Sequence, residues 1–210
     1  IAKGKLYVPD YFKDVVQVFT LAGSFVAAIQ AQDSFNSPGG VAVRPDGSLL
    51  VADTYAKRIV QLQPNGVVVN TWGADGNNAF SYPTDVIQAA DGGFYVADGY
   101  NDRIQRFGPD GKYKSKWGGP FGLNIYGPFK GWFTTVTSLA IAANGTLFAA
   151  DFYNDRIQKF SADGAFLTSF GTVSNGPGHS ELALAVDSDG TVFSTNFAHN
   201  LIEKWIPKDR

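Results

Sequence analysis

Short runs of apolar residues, each about five residues long, alternate with polar turns along the chain. Asp-Gly or Asn-Gly pairs close many of these runs, and both pairs tolerate the positive φ that a tight β-turn needs. Between residues 40 and 72 the pattern predicts four strands, which we label A to D, at 40–44, 48–52, 58–63 and 67–72. Tight turns join A to B and C to D, whereas strands B and C are joined by the longer loop 53–57. The chain is therefore predicted to be all-β.

The four-strand pattern is an internal repeat. One equivalent position, at the end of strand B, is occupied in turn by Asp10, Asp53, Asp98, Asp151 and Asn196, in steps of 43, 45, 53 and 45 residues. A period in the forties with four short strands predicts one β-propeller blade per repeat. We assign repeat units to about 1–35, 36–80, 81–120, 133–175 and 179–207, within a single propeller domain that covers residues 1–210.

The best-matching copies are VADGYNDRIQRF at 96–107 and AADFYNDRIQKF at 149–160, and Asp-Gly and then Trp-Gly or Phe-Gly follow them. These segments resemble the NHL repeat, and the resemblance extends over nearly the whole chain. It implies four-stranded blades, usually six in number. The first repeat begins at strand B and the last ends at strand C, so both are incomplete. We expect part of a six-bladed ring with an upstream segment missing, because an open ring leaves bare strand edges; a five-bladed or open variant is the alternative.

Composition narrows the classes of partner. Hydrophobic residues make up 44% of the 210 residues and charged residues 17%, which is typical of a folded domain. The net charge is −2 and the basic residues form no run, which disfavours nucleic acid. No apolar stretch is long enough for a membrane span. Cys is absent, which excludes disulfides and thiolate metal sites but leaves the compartment open; a periplasmic or secreted location is our expectation.

Paired charges recur between the ends of strands B and C. In the fifth repeat both members are replaced, by Asn196 and Leu201, and such joint loss indicates partners in a structural ion pair. Asp10 faces Val15 instead and is expected to accept backbone N–H groups. Catalytic groups are seldom repeated in every module, so we interpret the pairs as structural. The repeated aromatic residues Tyr55, Tyr100, Tyr153, Phe107 and Phe160 are expected to be mostly packing residues. The structural pairs are Asp53/Arg58, Asp98/Arg103 and Asp151/Arg156.

A binding surface is predicted where the B–C and D–A loops lie, because all the irregular segments fall there and loops on a rigid scaffold commonly bind. Its most unusual part is the aromatic, Gly- and Pro-rich insertion 117–133, which accounts for the long step of 53 residues. An apolar loop must be folded onto something. It is either a lid that packs over the channel mouth or a blade edge, or an anchor for a protein partner or apolar ligand. The candidate binding residues in it are Phe121, Tyr126, Phe129, Trp132 and Phe133.

The two histidines of the chain, His179 and His199, fall at the same loop end and are further candidate binding residues. With Glu181 they could ligate a divalent metal. The alternative for His199 is turn formation, because two other repeats have Asn at that loop position. Asp85, near a predicted strand A, could bind Ca²⁺, but a single carboxylate is weak evidence. We therefore assign no metal site, no catalytic residue and no cofactor from the sequence.

Three functions remain open. The first is a non-enzymatic scaffold that binds a protein partner, a larger assembly or a ligand through the B–C and D–A loops. The second is a metal-dependent lyase or lactonase-like hydrolase, which the resemblance implies through related propeller enzymes, although their channel ligand sets cannot be assembled from this sequence. The third is RNA binding, as in tripartite-motif NHL proteins, which requires a basic face. We favour the first, since no nucleophile or phosphate-loop motif is present.

Overall fold

The computed structural model of the chain describes residues 1–73, 78–119, 129–171 and 181–207. Within these ranges the chain forms eighteen β-strands and two single-turn 3₁₀ helices, Gly99–Asn101 and Phe152–Asn154. None of the helical segments in the described ranges has the length and apolarity that crossing a membrane requires. The strands are β1 (Lys5–Asp10), β2 (Val15–Thr20), β3 (Phe25–Ile29), β4 (Pro38–Val43), β5 (Leu49–Asp53), β6 (Arg58–Leu62), β7 (Val68–Trp72), β8 (Pro83–Gln88), β9 (Phe94–Asp98), β10 (Arg103–Phe107), β11 (Tyr113–Gly118), β12 (Val136–Ile141), β13 (Leu147–Asp151), β14 (Arg156–Phe160), β15 (Phe166–Phe170), β16 (Glu181–Val186), β17 (Val192–Asn196) and β18 (Leu201–Trp205).

Successive strands form five antiparallel sheets, β1–β3, β4–β7, β8–β11, β12–β15 and β16–β18. These are the blades of a β-propeller, so the predicted all-β propeller fold is confirmed. The first sheet lacks strand A and the last lacks strand D, in agreement with the two incomplete repeats. The described residues form five blades, and the expectation of a sixth stays a prediction.

The chain divides into two compact units, Ile1–Gln88 and Ala89–Arg210. In the first unit, a core cluster joins the first two sheets through buried aliphatic residues such as Val16, Val18, Leu49 and Val60. In the second unit, Phe148 is part of a cluster that joins the fourth and fifth sheets. Every residue of β5 and of β13 is buried, so these strands bury side chains on both faces, as stacked blades require.

The A–B turn of the second sheet illustrates why Asp-Gly punctuates the sequence. Asp46 accepts a hydrogen bond from the backbone N–H of Ser48 at 2.8 Å, and Gly47 adopts φ +92°. The short side-chain acceptor and the glycine thus satisfy the turn locally. Hydrogen bonds from Ser48 lower the pKa of the Asp46 carboxyl.

The recurring Trp-Gly and Phe-Gly pairs end strand D for a steric reason. A Cβ on Gly118, which has φ +137°, would lie 2.3 Å from the carbonyl oxygen of Asp102 in the B–C loop of the same sheet. A Cβ on Gly171 would lie 2.6 Å from the equivalent oxygen, that of Asp155. The end of strand D passes so close to the B–C loop that only glycine fits.

Candidate functional site

The buried carboxylates at the ends of strands B organise the loops of their own sheets. Asp53 and Asp151 have fully buried side chains, and each accepts a hydrogen bond from an arginine Nε at 2.7 Å. Each also accepts the backbone N–H of a residue two positions before strand A, Asn36 at 2.6 Å and Thr134 at 2.8 Å. Burial raises the pKa of both carboxyls, and the backbone hydrogen bonds act in the opposite direction.

The arginines extend these contacts to the carbonyl groups of the loops. Nη2 of Arg58 donates to the carbonyl oxygen of Ser34 at 2.9 Å. Nη2 of Arg156 donates to the carbonyl oxygens of Phe129 at 2.8 Å and Trp132 at 2.7 Å. Arg103 and Asp98 form the same Nε–Oδ2 contact, at 2.7 Å, in the third sheet. This geometry supports the structural interpretation of the Asp/Arg pairs, since every described contact links loop to sheet.

The first and fifth repeats vary this arrangement. Asp10 accepts hydrogen bonds from the backbone N–H of Lys13 at 3.1 Å and from Nε2 of Gln17 at 2.5 Å, and Nζ of Lys13 lies 3.3 Å from its Oδ2. In the fifth sheet the carboxylate lies on strand C, where Oε1 of Glu203 accepts from Nδ2 of Asn196 at 3.1 Å. The Asp–Gln hydrogen bond of other repeats therefore becomes an Asn–Glu bond with donor and acceptor exchanged.

A second set of contacts joins the B–C loop to strand A of the next sheet within each unit. Asp14 and Asp102, both with positive φ, accept the backbone N–H groups of Ser37 and Thr135, each at 2.7 Å. At the equivalent position of the second repeat, Nζ of Lys57 lies 4.9 Å from the centre of the Tyr82 ring. These contacts hold the B–C loops, and with them the side chains that the loops present.

Those side chains include an exposed aromatic ring two residues after the Asp in each of the first four repeats. The exposed fractions are 92% for Phe12, 51% for Tyr55, 67% for Tyr100 and 52% for Tyr153. The three tyrosines, which were expected to be mostly packing residues, are at least half exposed, whereas Phe107 and Phe160 are buried. The difference is positional, because the phenylalanines are on strand C and the tyrosines are in loops.

In the first unit these rings form a continuous aromatic row, which consists of Phe12, Tyr11, Tyr55 and Tyr82. Successive ring centres lie 5.3, 5.9 and 5.1 Å apart, and each pair is edge-to-face. The backbone N–H of Tyr55 donates to the carbonyl oxygen of Asn36 at 3.1 Å, which fixes the row to the D–A loop. Sequence reasoning missed this row, although the repetition of an aromatic residue in the loop was its visible signal.

The described end of the aromatic insertion has one exposed and one buried ring. Phe129 is exposed and packs edge-to-face on the half-buried Trp132, with ring centres 4.9 Å apart. Phe133 is only 2% exposed and lies against Phe160, with ring centres 5.6 Å apart. Phe133 is therefore a core residue, and its prediction as a binding residue is corrected by its burial. Phe121 and Tyr126 lie outside the described residues.

Of the two predicted histidines, the described residues include His199. His199 is exposed, and its backbone N–H donates to Oδ1 of Asn196 at 3.0 Å. This hydrogen bond supports the turn interpretation. His179 and the side chain of Glu181 lie outside the described residues. Within the part of the chain that the structure describes, no group of three His, Cys, Asp or Glu residues could hold a metal ion.

Comparison with known proteins identifies the repeat. The NHL repeat family matches residues 35–62, which contain strands β4 to β6. The chain contains an NHL repeat. The predicted resemblance is confirmed there, and the Asp53/Arg58 pair lies within the matched NHL repeat. A search of curated protein sequences finds no match.

Solved structures share the fold at low identity. A catalytically inactive virginiamycin B lyase from Staphylococcus aureus with quinupristin is 15% identical, with a TM-score of 0.69 over 100% of this chain and 68% of that one. A streptogramin B lyase is 14% identical, with a TM-score of 0.67 over 100% and 67%. The WD40 β-propeller domain of Doa1 is 16% identical, with a TM-score of 0.74 over 100% and 62%. At these identities the likeness shows the fold alone.

Proposed function

We propose that this NHL-repeat propeller is a non-enzymatic interaction module that binds a protein partner or a larger assembly with its B–C and D–A loops. The observation that carries the proposal is the repeated exposure of an aromatic ring in successive B–C loops, led by Phe12 and Tyr100. Aromatic side chains are enriched among the residues that dominate binding energy at interfaces. Contiguous exposed apolar patches are unusual on a protein that has no partner.

The support of these rings by the scaffold is the second argument. In the first unit, Asp53 and Asp14 hydrogen-bond backbone N–H groups of the D–A loop, and Tyr55 is itself bonded to that loop. Rings held in place before binding lose little conformational entropy when a partner covers them. The aromatic row of the first unit is therefore the proposed centre of the interface.

The test begins with native mass spectrometry of the protein purified from its own source, without overexpression. A defined companion is then titrated against Phe12→Ser and Tyr55→Ser variants, with Phe25→Ser as the matched control. Phe25 is also exposed but begins strand D, at the opposite end of the first sheet. We expect each variant in the aromatic row to weaken binding about tenfold or more, and the control to bind as the wild type does.

Two results would contradict the proposal. Equal affinities of the aromatic-row variants and the control would remove the row from the interface. A lone chain that carries a chelator-removable mass increment of a divalent metal would instead support the metal-dependent enzyme, and would direct mutagenesis to His179, Glu181 and His199.

A further inference from the structure

A cavity of about 650 Å³ lies between the fourth and fifth sheets, in the second unit. Phe148, Phe170 and Trp205 contribute its aromatic walls, and Lys159 contributes an ammonium group, whose Nζ lies 5.7 Å from the centre of the Phe148 ring. Gly190 of the A–B turn and Pro207 after β18 also line it, so it lies at the opposite end of the sheets from the B–C loops. Its volume is within the usual range of small-molecule sites.

Equivalent positions between the third and fourth sheets are occupied differently. There the hydroxyl of Tyr95 donates to the carbonyl oxygen of Ala162 at 2.8 Å, across the two sheets. The indole of Trp117 lies so close to Gly164 that an added Cβ would be 2.6 Å from its ring. Strand register places Phe148 in the position of Tyr95 and Phe170 in that of Trp117.

The fourth sheet therefore has the phenyl ring of Phe148 where the third sheet has a tyrosine phenol, and the phenyl ring of Phe170 where the third sheet has a tryptophan indole. Phe148 has no hydroxyl to reach the neighbouring turn, and Phe170 is smaller than Trp117. The aromatic pair across the sheets is also exchanged, since Phe170 and Trp205 have ring centres 5.3 Å apart, whereas Trp117 and Phe160 are 6.1 Å apart.

Charge distinguishes the cavity as well. In the third sheet, Nη2 of Arg106 forms an ion pair with Oδ2 of Asp91 at 2.7 Å. In the fourth sheet Lys159 replaces Arg106, and Asn144 replaces Asp91, so the carboxylate is lost. Lys159 forms no ion pair with any residue that the structure describes, and none of the described residues that line the cavity is acidic. The cavity thus combines aromatic walls with one ammonium group that has no carboxylate partner among the described residues.

We propose that this cavity binds a compact organic anion with a flat aromatic body and one carboxylate or sulfonate group. The aromatic body would lie against Phe148, Phe170 and Trp205, and the anionic group would accept a hydrogen bond from Nζ of Lys159. Charge-assisted hydrogen bonds are the strong ones, particularly where apolar walls reduce the local dielectric constant. This site is independent of the loop surface in the proposed function.

The probe for the test is anilinonaphthalene sulfonate, with phenylnaphthylamine as its uncharged counterpart. We expect saturable binding of one sulfonate per chain, followed by its fluorescence and by that of Trp205. Lys159→Met should weaken binding of the sulfonate about tenfold and leave the neutral probe unaffected. Lys112→Met is the matched control, because that exposed lysine lies outside the cavity.

A second variant keeps the proposal testable if Lys159→Met folds poorly. Phe148→Tyr with Phe170→Trp copies the side chains of the third sheet and fills the cavity with residues that the same fold already accommodates. It should abolish binding of both probes and leave cooperative unfolding intact. The proposal is overturned if the wild type shows no saturable binding, if Lys159→Met binds the sulfonate as tightly as Lys112→Met does, or if the filled variant still binds it.

Discussion

Replacement of Arg156 by Leu tests whether a buried aspartate of this propeller depends on its arginine. Asp151 is fully buried, and its carboxylate accepts from Nε of Arg156 at 2.7 Å. After the replacement, three donors to Asp151 remain: the backbone N–H of Thr134, Nδ2 of Asn154 and Nε2 of Gln158. The carboxylate would then be hydrogen-bonded but would have no neutralising charge beside it.

The expected loss of stability follows from the three donors that remain to Asp151. Removal of one partner of a buried ion pair costs about 3–5 kcal/mol of stability, and the three remaining donors favour the lower end, about 3 kcal/mol. The fifth repeat suggests how to recover part of the loss, because Asn196 and Leu201 replace both members of the pair there. A double variant, Asp151→Asn with Arg156→Leu, removes the buried charge together with its partner and keeps Gln158, whose Nε2 donates to the carbonyl oxygen of Trp132 at 2.6 Å, so it should cost less than Arg156→Leu alone.

Equilibrium urea unfolding at neutral pH, followed by tryptophan fluorescence, measures both values. The midpoint should fall for Arg156→Leu while the slope stays near the wild-type value. Partial recovery of the midpoint in the double variant is the decisive observation, because it changes more residues than the single variant and yet should be more stable. The reasoning is refuted if Arg156→Leu lies within about 0.5 kcal/mol of the wild type, the usual range of surface substitutions. It is equally refuted if the double variant is the less stable of the two.

Three further predictions concern side chains and backbone positions described above. Phe133→Ala should cost about 3–5 kcal/mol because it empties a core position, whereas Phe129→Ala should cost below about 1 kcal/mol in the same urea assay; equal losses would contradict the assigned burial. Gly118→Ala should lower the free energy of unfolding by more than about 1 kcal/mol, since the φ of Gly118 and the carbonyl group of Asp102 exclude a Cβ. An unfolding midpoint equal to that of the wild type would show that the B–C loop can shift to make room for it. Burial raises the pKa of the Asp102 carboxyl in the folded state. The contribution of Asp102 to stability is therefore fully present below the pKa that this carboxyl has in the unfolded chain, and it is lost as the pH rises through its pKa in the folded protein. Asp102→Asn retains an acceptor and should gain stability relative to the wild type as pH rises, and parallel pH profiles would contradict this.

The strands could be predicted from the sequence because their signals are local. In the second repeat the expected strand 40–44 is observed as Pro38–Val43, and the expected 67–72 as Val68–Trp72. Alternation of apolar runs with Asp-Gly turns is sufficient to locate such elements to within two residues. The Asp–Arg partnership was also accessible, because joint replacement in one repeat indicates contact.

Exposure could not be predicted in the same way. Tyr55 and Phe107 both recur in equivalent positions of other repeats, yet one is half exposed and the other is buried. Repetition shows that the fold or the function constrains a position, and does not show which. The location of Tyr55 in a loop that follows a buried carboxylate is the physical difference, because that loop turns outward and its backbone is already bonded to the D–A loop.

Differences between repeats are therefore more informative about specific sites than the repeated residues are. Asp91 and Asn144 differ by one functional group and look like interchangeable turn residues in the sequence. The strand register shows that the first neutralises Arg106 and that the second leaves Lys159 without a carboxylate partner at the same place. The cost of this loss to stability is small at an exposed position, so folding alone does not oppose it. The residue at this position can therefore change according to what the neighbouring cavity binds, whereas the buried Asp–Arg pairs are held by their contribution to stability. Lys159→Met and Arg156→Leu together measure this contrast.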